Sequence, residues 1–329
     1  MRTVGGASGI SMTDAHADAD FDPAPSVEAV SDLATRISEN VERVIVGHHD
    51  AIEDIIVALF ARGHLLLEDV PGVGKTMLAR AIATSIEGEF ERIQFTPDLL
   101  PSDVTGVNVF NQQTSEFEFR EGPVFGNVVL GDEINRAPPK TQAALLEVME
   151  ELQVTVDGVT RRVPDPFTVI ATQNDVEPDR TYDLPLAELD RFMKKIHLGY
   201  PNEAEETELL GRVSGHHPIE SLEPVASAGD VRDARERILD VTVSEPVRSY
   251  VSRLAADTRA RADLGVSPRG SIALVRAAQA RAALDARDYV VPDDVQREVR
   301  SVWAHRIRTT DERAGRDVVQ RALDTVPVE

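Results

Sequence analysis

The chain has 329 residues, no cysteine, and 57 acidic against 35 basic residues, which gives a formal net charge of −22. The lack of cysteine excludes disulfides and thiolate metal sites, and the acidic balance disfavours tight binding to a nucleic-acid backbone, because such binding needs a positive surface. No apolar run approaches the roughly 20 residues that span a bilayer, and the first residues lack the order of a secretory signal, so we expect a cytoplasmic protein.

Residues 1–25 are rich in Gly, Ala, Ser and Asp and show little apolar periodicity, which predicts a disordered acidic tail. A helical pattern then leads to the apolar stretch Ala51–Phe60, and five short β-like runs follow, several of them separated by helical patterns such as Met77–Ile86 and Thr141–Glu150. The runs are His64–Glu68, Glu91–Phe95, Asn127–Leu130, Phe167–Ala171 and Lys195–Leu198. Alternation of this kind predicts an α/β fold with a parallel five-stranded sheet and helices on both faces.

Two segments interrupt this alternation. Val107–Phe119 alternates around a polar stretch, and Val154–Val163 alternates around Asp157-Gly158, a strong two-residue hairpin signal. Both segments therefore predict β-hairpins that are inserted into the α/β core.

The β signals end after about Pro201, and helical periodicity replaces them. Ser267 followed by Pro268 predicts the start of a helix that runs to Leu284. Two apolar helical faces consist of Val247, Tyr250, Val251 and Leu254, and of Val295, Val299, Val302 and Trp303. We therefore predict an α/β core over residues 26–201 and a helical domain with the C-terminal tail over residues 202–329.

A phosphate-binding loop is predicted after the apolar run Leu65–Leu67. The segment Glu68–Thr76 (EDVPGVGKT) joins this run to an amphipathic helix, which is the context of a Walker A motif. Lys75 would reach the β- and γ-phosphates of ATP, and the Thr76 hydroxyl would ligate Mg²⁺. Asp69 departs from the general pattern, which has its first glycine there. The predicted ATP-binding residues are Pro71, Gly72, Val73, Gly74, Lys75, Thr76 and Met77.

A second motif begins at Asn127–Glu133, a buried-strand run that ends in two carboxylates. A strand beside the loop would place Asp132 near Mg²⁺, and Glu133 could orient or deprotonate the attacking water. The next run ends at Asn174, which could hold that water or sense the γ-phosphate. In isolation, acidic pairs at strand ends are also typical of a solvated surface, and a terminal Asn is typical of a turn.

These segments resemble one protein family. Asp132–Gln142 (DEINRAPPKTQ) resembles the Walker B signature of the MoxR branch of AAA+ ATPases, and the similarity extends over about residues 27–308. The stretch around Asp69 looks typical of this branch. Further matching segments are Gly63–Gly72 (GHLLLEDVPG), Ala171–Asn174 (ATQN), Leu189–Phe192 (LDRF) and Ser267–Gly270 (SPRG).

The resemblance implies a P-loop AAA+ core with a helical lid, and a ring, usually a hexamer, with the nucleotide between neighbouring subunits. By resemblance, Asn174 is the sensor 1 residue, Arg191 is the arginine finger that reaches the adjacent subunit, and Arg269 is the sensor 2 residue that contacts the γ-phosphate in the site of its own subunit. With Glu133, these are the predicted catalytic residues. The predicted metal ligands are Thr76 and Asp132.

The resemblance also implies ATP hydrolysis that drives chaperone-like remodelling or maturation of partner protein complexes, often with proteins that bear von Willebrand factor A domains. Three alternatives stay open: a motor subunit like that of magnesium chelatase, a nucleic-acid motor or transcription regulator, and a nucleotide-binding scaffold without turnover. The acidic charge argues against the second, and Asp132-Glu133 argues against the third. The acidic residues are spread along the chain, which is typical of a solvated surface in a salt-rich cytoplasm.

Overall fold

The computed structural model describes residues 25–69, 72–173, 182–212, 218–309 and 314–328. The strands are β1 (Leu65–Glu68), β2 (Phe90–Gln94), β3 (Gly106–Asn111), β4 (Glu116–Glu121), β5 (Val128–Asp132), β6 (Gln153–Val156), β7 (Val159–Arg162), β8 (Thr168–Gln173) and β9 (Lys194–Ile196). The first six helices are α1 (Val27–Glu42), α2 (His49–Phe60), α3 (Lys75–Ser85), α4 (Pro101–Thr105), α5 (Pro139–Glu151) and α6 (Leu186–Leu189). The later helices are α7 (Glu203–Arg212), α8 (Ala228–Leu239), α9 (Glu245–Arg261), α10 (Pro268–Leu284), α11 (Pro292–Trp303) and α12 (Ala314–Thr325). The predicted tail, up to residue 24, lies outside the described residues.

Five strands form a parallel sheet in the order β2-β5-β8-β1-β9. Each of the five predicted runs overlaps one of these strands, so the predicted sheet is confirmed. Successive side chains of a strand point to opposite faces. Accordingly, Leu65 and Leu67 pack in one apolar cluster with α1, α2, α3 and the C-terminal helices, whereas Leu66 packs in a second cluster with α5. Helices therefore cover both faces.

Both predicted hairpins are present. In the β6–β7 hairpin, Asp157 and Gly158 have φ of 50° and 80°, as a two-residue turn between right-twisted strands requires. The hairpins also contact each other. The Asn108 side-chain amide donates to Asp157 Oδ2 at 2.6 Å, and the Arg161 guanidinium lies 3.8 Å from the centre of the Phe119 ring. The two hairpins thus form one projection from the core.

Helices α8–α12 form the C-terminal helical lid. Both predicted apolar faces are buried in α9 and α11, and the Ser267 side chain caps α10 by accepting from Gly270 N at 3.1 Å. A buried ion pair attaches the lid to the sheet, because Lys194 Nζ on β9 contacts Glu298 of α11; the same ammonium contacts Asp54 of α2 at 2.5 Å. Within the described ranges, no helix combines the length and apolarity that membrane crossing requires. The domain boundary near residue 201 stays a prediction.

Candidate functional site

The loop between β1 and α3 leaves open space above its backbone. Gly72 and Gly74 have φ of 90° and 95°, in the left-handed region where a residue with a Cβ is strained. A Cβ built at either position would meet no atom within 4 Å. Helix α3 begins at Lys75, directly after Gly74, and no side chain caps it. Exposed N–H groups at a helix start form a ready site for a phosphate. Pro71 lies outside the described residues.

Lys75 is buried at the start of α3. Its ammonium donates to the backbone carbonyl of Asp69 at 3.1 Å. Burial lowers the pKa of Lys75, and the nearby carboxylates, chiefly that of Asp132, act in the opposite direction. The ammonium is thus poorly hydrated and would gain from an anionic ligand. Thr76 and Met77 follow in the first turn of α3, where Met77 packs against the apolar cluster.

Asp132 ends β5 and is only 9% exposed. Its Oδ1 accepts from the Thr172 hydroxyl at 2.7 Å, and its Oδ2 accepts from Arg92 Nη2 at 2.6 Å. Thr172 lies on the neighbouring strand β8, and Arg92 lies on β2 at the other side. The strand order therefore surrounds this carboxylate with donors that fix its orientation.

Glu133 has φ of 57°, a left-handed conformation that is strained for a residue with a side chain. Its backbone N–H donates to the Thr172 hydroxyl at 2.8 Å, and its Oε2 accepts from Gln94 Nε2 at 2.9 Å and from Arg136 Nη1 at 2.8 Å. Such backbone strain persists only where surrounding contacts hold the residue in its conformation. The Glu133 carboxylate is thus turned toward Gln94, at the same sheet edge as Asp132.

The sequence did not single out Arg92, Gln94 or Thr172 as site residues. They lie on two strands that flank β5, and their contacts with Asp132 and Glu133 depend on the strand order β2-β5-β8. A polar residue near the end of a predicted parallel strand was the available signal, since such ends meet at one edge. Asn174, the predicted sensor 1 residue, follows β8 but lies outside the described residues.

The donor set at this edge fits Mg²⁺. Thr76 offers a hydroxyl and Asp132 a carboxylate, and oxygen is the ligand that Mg²⁺ prefers. Over the described part of the chain, no group of three or more His, Asp or Glu side chains could hold a metal ion. A pair of protein ligands suits Mg²⁺, because Mg²⁺ usually binds through one or two protein ligands, water and substrate phosphates.

Arg191 and Arg269 lie side by side. Arg191 Nε is 3.3 Å from Glu150 Oε2, and Arg269 Nη1 is 3.0 Å from Glu150 Oε1. One carboxylate near the end of α5 therefore holds both guanidinium groups. The sequence predicts that Arg269 contacts the γ-phosphate in the site of its own chain, whereas the structure places it beside Arg191.

This pair lies at the sheet edge opposite the phosphate loop. Glu150 is eleven positions after Pro139, the first residue of α5, which is about 16 Å of helix rise. The preceding residue, Met149, accepts from His64 Nε2 at 3.0 Å, and His64 stands just before β1, whereas the loop follows β1. The structure therefore does not bring Arg269 to Lys75 of the same chain.

Buried His64 fixes this edge in its neutral form. Its Nδ1 accepts from Val169 N at 3.0 Å while Nε2 faces the Met149 carbonyl, so the ring donates on one side and accepts on the other. Burial lowers the pKa of His64 to about 4, and the charge of Arg269 contributes to this shift. A neutral imidazole thus connects β1, β8 and the end of α5.

The segment that carries Arg191 is anchored to the lid. Arg306 Nε donates to Asp190 Oδ1 at 2.7 Å, and Arg306 Nη2 donates to the Phe192 carbonyl at 2.7 Å. The Ser267 hydroxyl adds a contact of 3.3 Å to Asp190 Oδ2. Both neighbours of Arg191 are thereby tied to lid residues, so lid and guanidinium would move as one unit.

Two family models match parts of this chain. The family model described as "ATPase family associated with various cellular activities (AAA)" matches residues 64–194, and the model "AAA lid domain" matches residues 254–324. The first range contains four strands of the parallel sheet and the first residue of β9, and the second contains most of the lid.

Individual relatives are similar over most of the chain. The chain is 54% identical to the uncharacterized protein YeaC of Bacillus subtilis, over 82% of this chain and 85% of that protein. It is 41% identical to the chaperone MoxR1 of Mycobacterium tuberculosis, over 87% of this chain and 80% of that protein. The crystal structure of a candidate ATPase from Cytophaga hutchinsonii superposes with a TM-score of 0.86 at 38% identity, over 92% of this chain and 97% of that one.

Proposed function

Because the chain belongs to the MoxR family of AAA+ ATPases, we propose that it hydrolyses ATP to ADP and phosphate in a homo-oligomeric ring, a hexamer, that remodels partner protein complexes. The observation that carries this proposal is the separation of two groups of residues. Lys75, Asp132 and Glu133 lie at one edge of the sheet, and Arg191 and Arg269 lie together at the other edge. Each subunit would thus contribute one half of a site to each of its two interfaces with neighbouring subunits.

We assign the first half to nucleotide binding and water activation. The N–H groups from Gly72 to Lys75 and the Lys75 ammonium bind the phosphates, and Glu133 orients the attacking water and accepts its proton. Gln94 and Arg136 hold the Glu133 carboxylate in place. Thr76 and Asp132 would hold Mg²⁺, which would supply positive charge beside the phosphate oxygens. Asn174 keeps its proposed role as the residue that senses the γ-phosphate.

We assign the second half to the neighbouring subunit. In a ring, contacts are head-to-tail, so one face of a subunit meets a different face of the next. Arg191 and Arg269 would together approach the neighbour's γ-phosphate, where positioned cations stabilise charge that spreads over the phosphoryl oxygens. Their shared contact with Glu150 supports a joint role.

Remodelling of protein clients is the finer part of the proposal. The name of one relative, the chaperone MoxR1, supports it. The β3–β4 hairpin offers a contact surface, because Phe110 and Phe117 at its tip are 50% and 71% exposed and lie 5.3 Å apart. Aromatic residues are enriched in protein interfaces. We propose that clients, von Willebrand factor A domain proteins among them, contact this tip.

The substitution Glu133→Gln tests the hydrolytic role. It should reduce ATP turnover by about 10²-fold or more, since it removes the proton acceptor, and should leave ATP binding and ring assembly intact. Glu91→Gln, at an exposed position of β2, is the matched control and should hydrolyse ATP like the wild type. Phosphate release measures the ATP turnover, and light scattering measures the ring assembly. Wild-type turnover in Glu133→Gln would remove Glu133 from its role, and turnover that rises with DNA at physiological salt would favour a nucleic-acid motor.

A further inference from the structure

Asp69 stands where the general phosphate-loop pattern has a glycine, and its side chain makes contacts that a glycine lacks. Asp69 Oδ2 accepts the backbone N–H groups of Leu198 and Gly199, both at 2.7 Å. Hydrogen bonds to an ionised carboxylate are about twice as strong as neutral ones. The departure from the pattern thus supplies a tether between the loop and a distant part of the chain.

The tether holds the start of the connection to the lid. Leu198 and Gly199, here called the junction, follow β9 and precede α7, beyond which the lid begins. Leu198 packs against the apolar cluster of the core, and Gly199 has φ of 72°, so the chain turns there. The junction is therefore where the path of the chain out of the core is set.

Asp69 is also in contact with the phosphate-binding lysine. Its carbonyl accepts from Lys75 Nζ at 3.1 Å, and its N–H donates to the Gln173 carbonyl at the end of β8 at 3.2 Å. A phosphate that draws the Lys75 ammonium toward itself competes with the Asp69 carbonyl for the same donor. Any adjustment of Asp69 then acts directly on the junction, because one residue carries both contacts.

We propose that Asp69 is a positioning residue that couples occupancy of the phosphate loop to the junction, and thereby to the lid. The coupling rests on the proposed function, since nucleotide must bind at the loop. The tether itself does not, because its two hydrogen bonds join residues of this chain and involve no ligand atom. The Leu198 and Gly199 amides then exchange slowly in the nucleotide-free protein, and their exchange rates change when ADP binds.

Amide hydrogen exchange resolved at Leu198 and Gly199, with and without ADP·Mg²⁺, tests this coupling. Asp69→Gly restores the general glycine and should speed exchange of both amides at least about tenfold, the ratio that corresponds to about 1.4 kcal/mol. It should also abolish the ADP-dependent change while ADP still binds. Asp69→Asn keeps an acceptor oxygen and should recover most of the protection. A fall in kcat with little change in KM for ATP should accompany Asp69→Gly.

Two outcomes would overturn the inference. Wild-type exchange at both amides in Asp69→Gly would remove the tether. Faster exchange with an unchanged response to ADP would reduce Asp69 to structural support. If Asp69→Gly does not fold, Asp69→Ala replaces it, with folding checked by circular dichroism. Failure of the proposed function is distinguishable. A wild type that binds no ADP contradicts the proposed function, whereas the protection that Asp69 gives the Leu198 and Gly199 amides is measured in the absence of nucleotide.

Discussion

The clearest prediction concerns which subunit uses Arg269. We expect Arg269→Ala to lose ATPase activity, because a cation that stabilises transferring phosphoryl charge is worth about 10³-fold or more in kcat. Lys75→Ala should be inactive because its loop no longer binds the γ-phosphate productively. Since roughly 16 Å of α5 rise separates Glu150 from the first residue of that helix, the two defects should lie in different sites of one ring.

The ATPase rate of a mixture of the two variants tests this geometry quantitatively. In a ring of equal and random composition, a site is complete only when an Arg269→Ala subunit supplies the loop and a Lys75→Ala neighbour supplies the arginine, which holds for about one quarter of head-to-tail contacts. The mixture should therefore recover about one quarter of the wild-type ATPase rate, with a maximum near equal proportions.

The assay is steady-state phosphate release after the two purified variants have been mixed and allowed to exchange subunits. Arg276→Ala, at an exposed position of α10, is the matched control and should be active alone. Arg191→Ala should behave like Arg269→Ala, because both guanidinium groups share Glu150. If no ratio of Lys75→Ala and Arg269→Ala recovers activity while subunit exchange is shown by fluorescence transfer, Arg269 acts on its own chain and the reasoning is refuted.

Three stability predictions follow from the packing. His64 has a folded pKa of about 4 against the ordinary 6.5, so only the unfolded chain takes up a proton at this side chain as the pH falls from 6.5 to 4, and about 3 kcal/mol of stability should be lost over that range. In His64→Gln, urea titrations should show that the free energy of unfolding depends less steeply on pH. An unchanged pH dependence would contradict this assignment. Ser267→Ala should lower the free energy of unfolding by about 1 kcal/mol through loss of the α10 cap, whereas no change in the urea midpoint would mean that water replaces the cap. Lys194→Met should lower the free energy of unfolding by about 3–5 kcal/mol, and with it the melting temperature, because Glu298 would be left buried without its lysine partner. A melting temperature like that of the wild type would show that Arg281 alone neutralises Glu298.

The phosphate loop could be recognised from sequence because its chemistry is local. A strand, a glycine-bearing turn and Lys75-Thr76 at a helix start follow each other directly, and the backbone conformations at Gly72 and Gly74 are ones that favour glycine. The sheet and the two hairpins were predictable for a similar reason. Apolar runs, and the Asp157-Gly158 turn, specify local structure wherever the segment is placed.

The partners of the carboxylates could not be predicted in this way. Arg92 and Thr172 meet at Asp132 although they are 80 positions apart in the chain. Their meeting depends on β2 and β8 flanking β5, which is a property of strand order. The role of Asp69 was hidden too, because the amides that donate to its carboxylate, those of Leu198 and Gly199, lie beyond β9, about 130 positions further along the chain.

The sequence by itself determined the class of protein, the parallel sheet and the phosphate loop with its adjacent pair of carboxylates. Only the tertiary structure decided where Arg269 lies, because the position of α10 depends on how the lid packs on β9 and on the Asp190–Arg306 contact. A side chain near the start of a helix can serve either sheet edge, and the packing of that helix selects one of them. Here the packing selects the edge that carries Arg191.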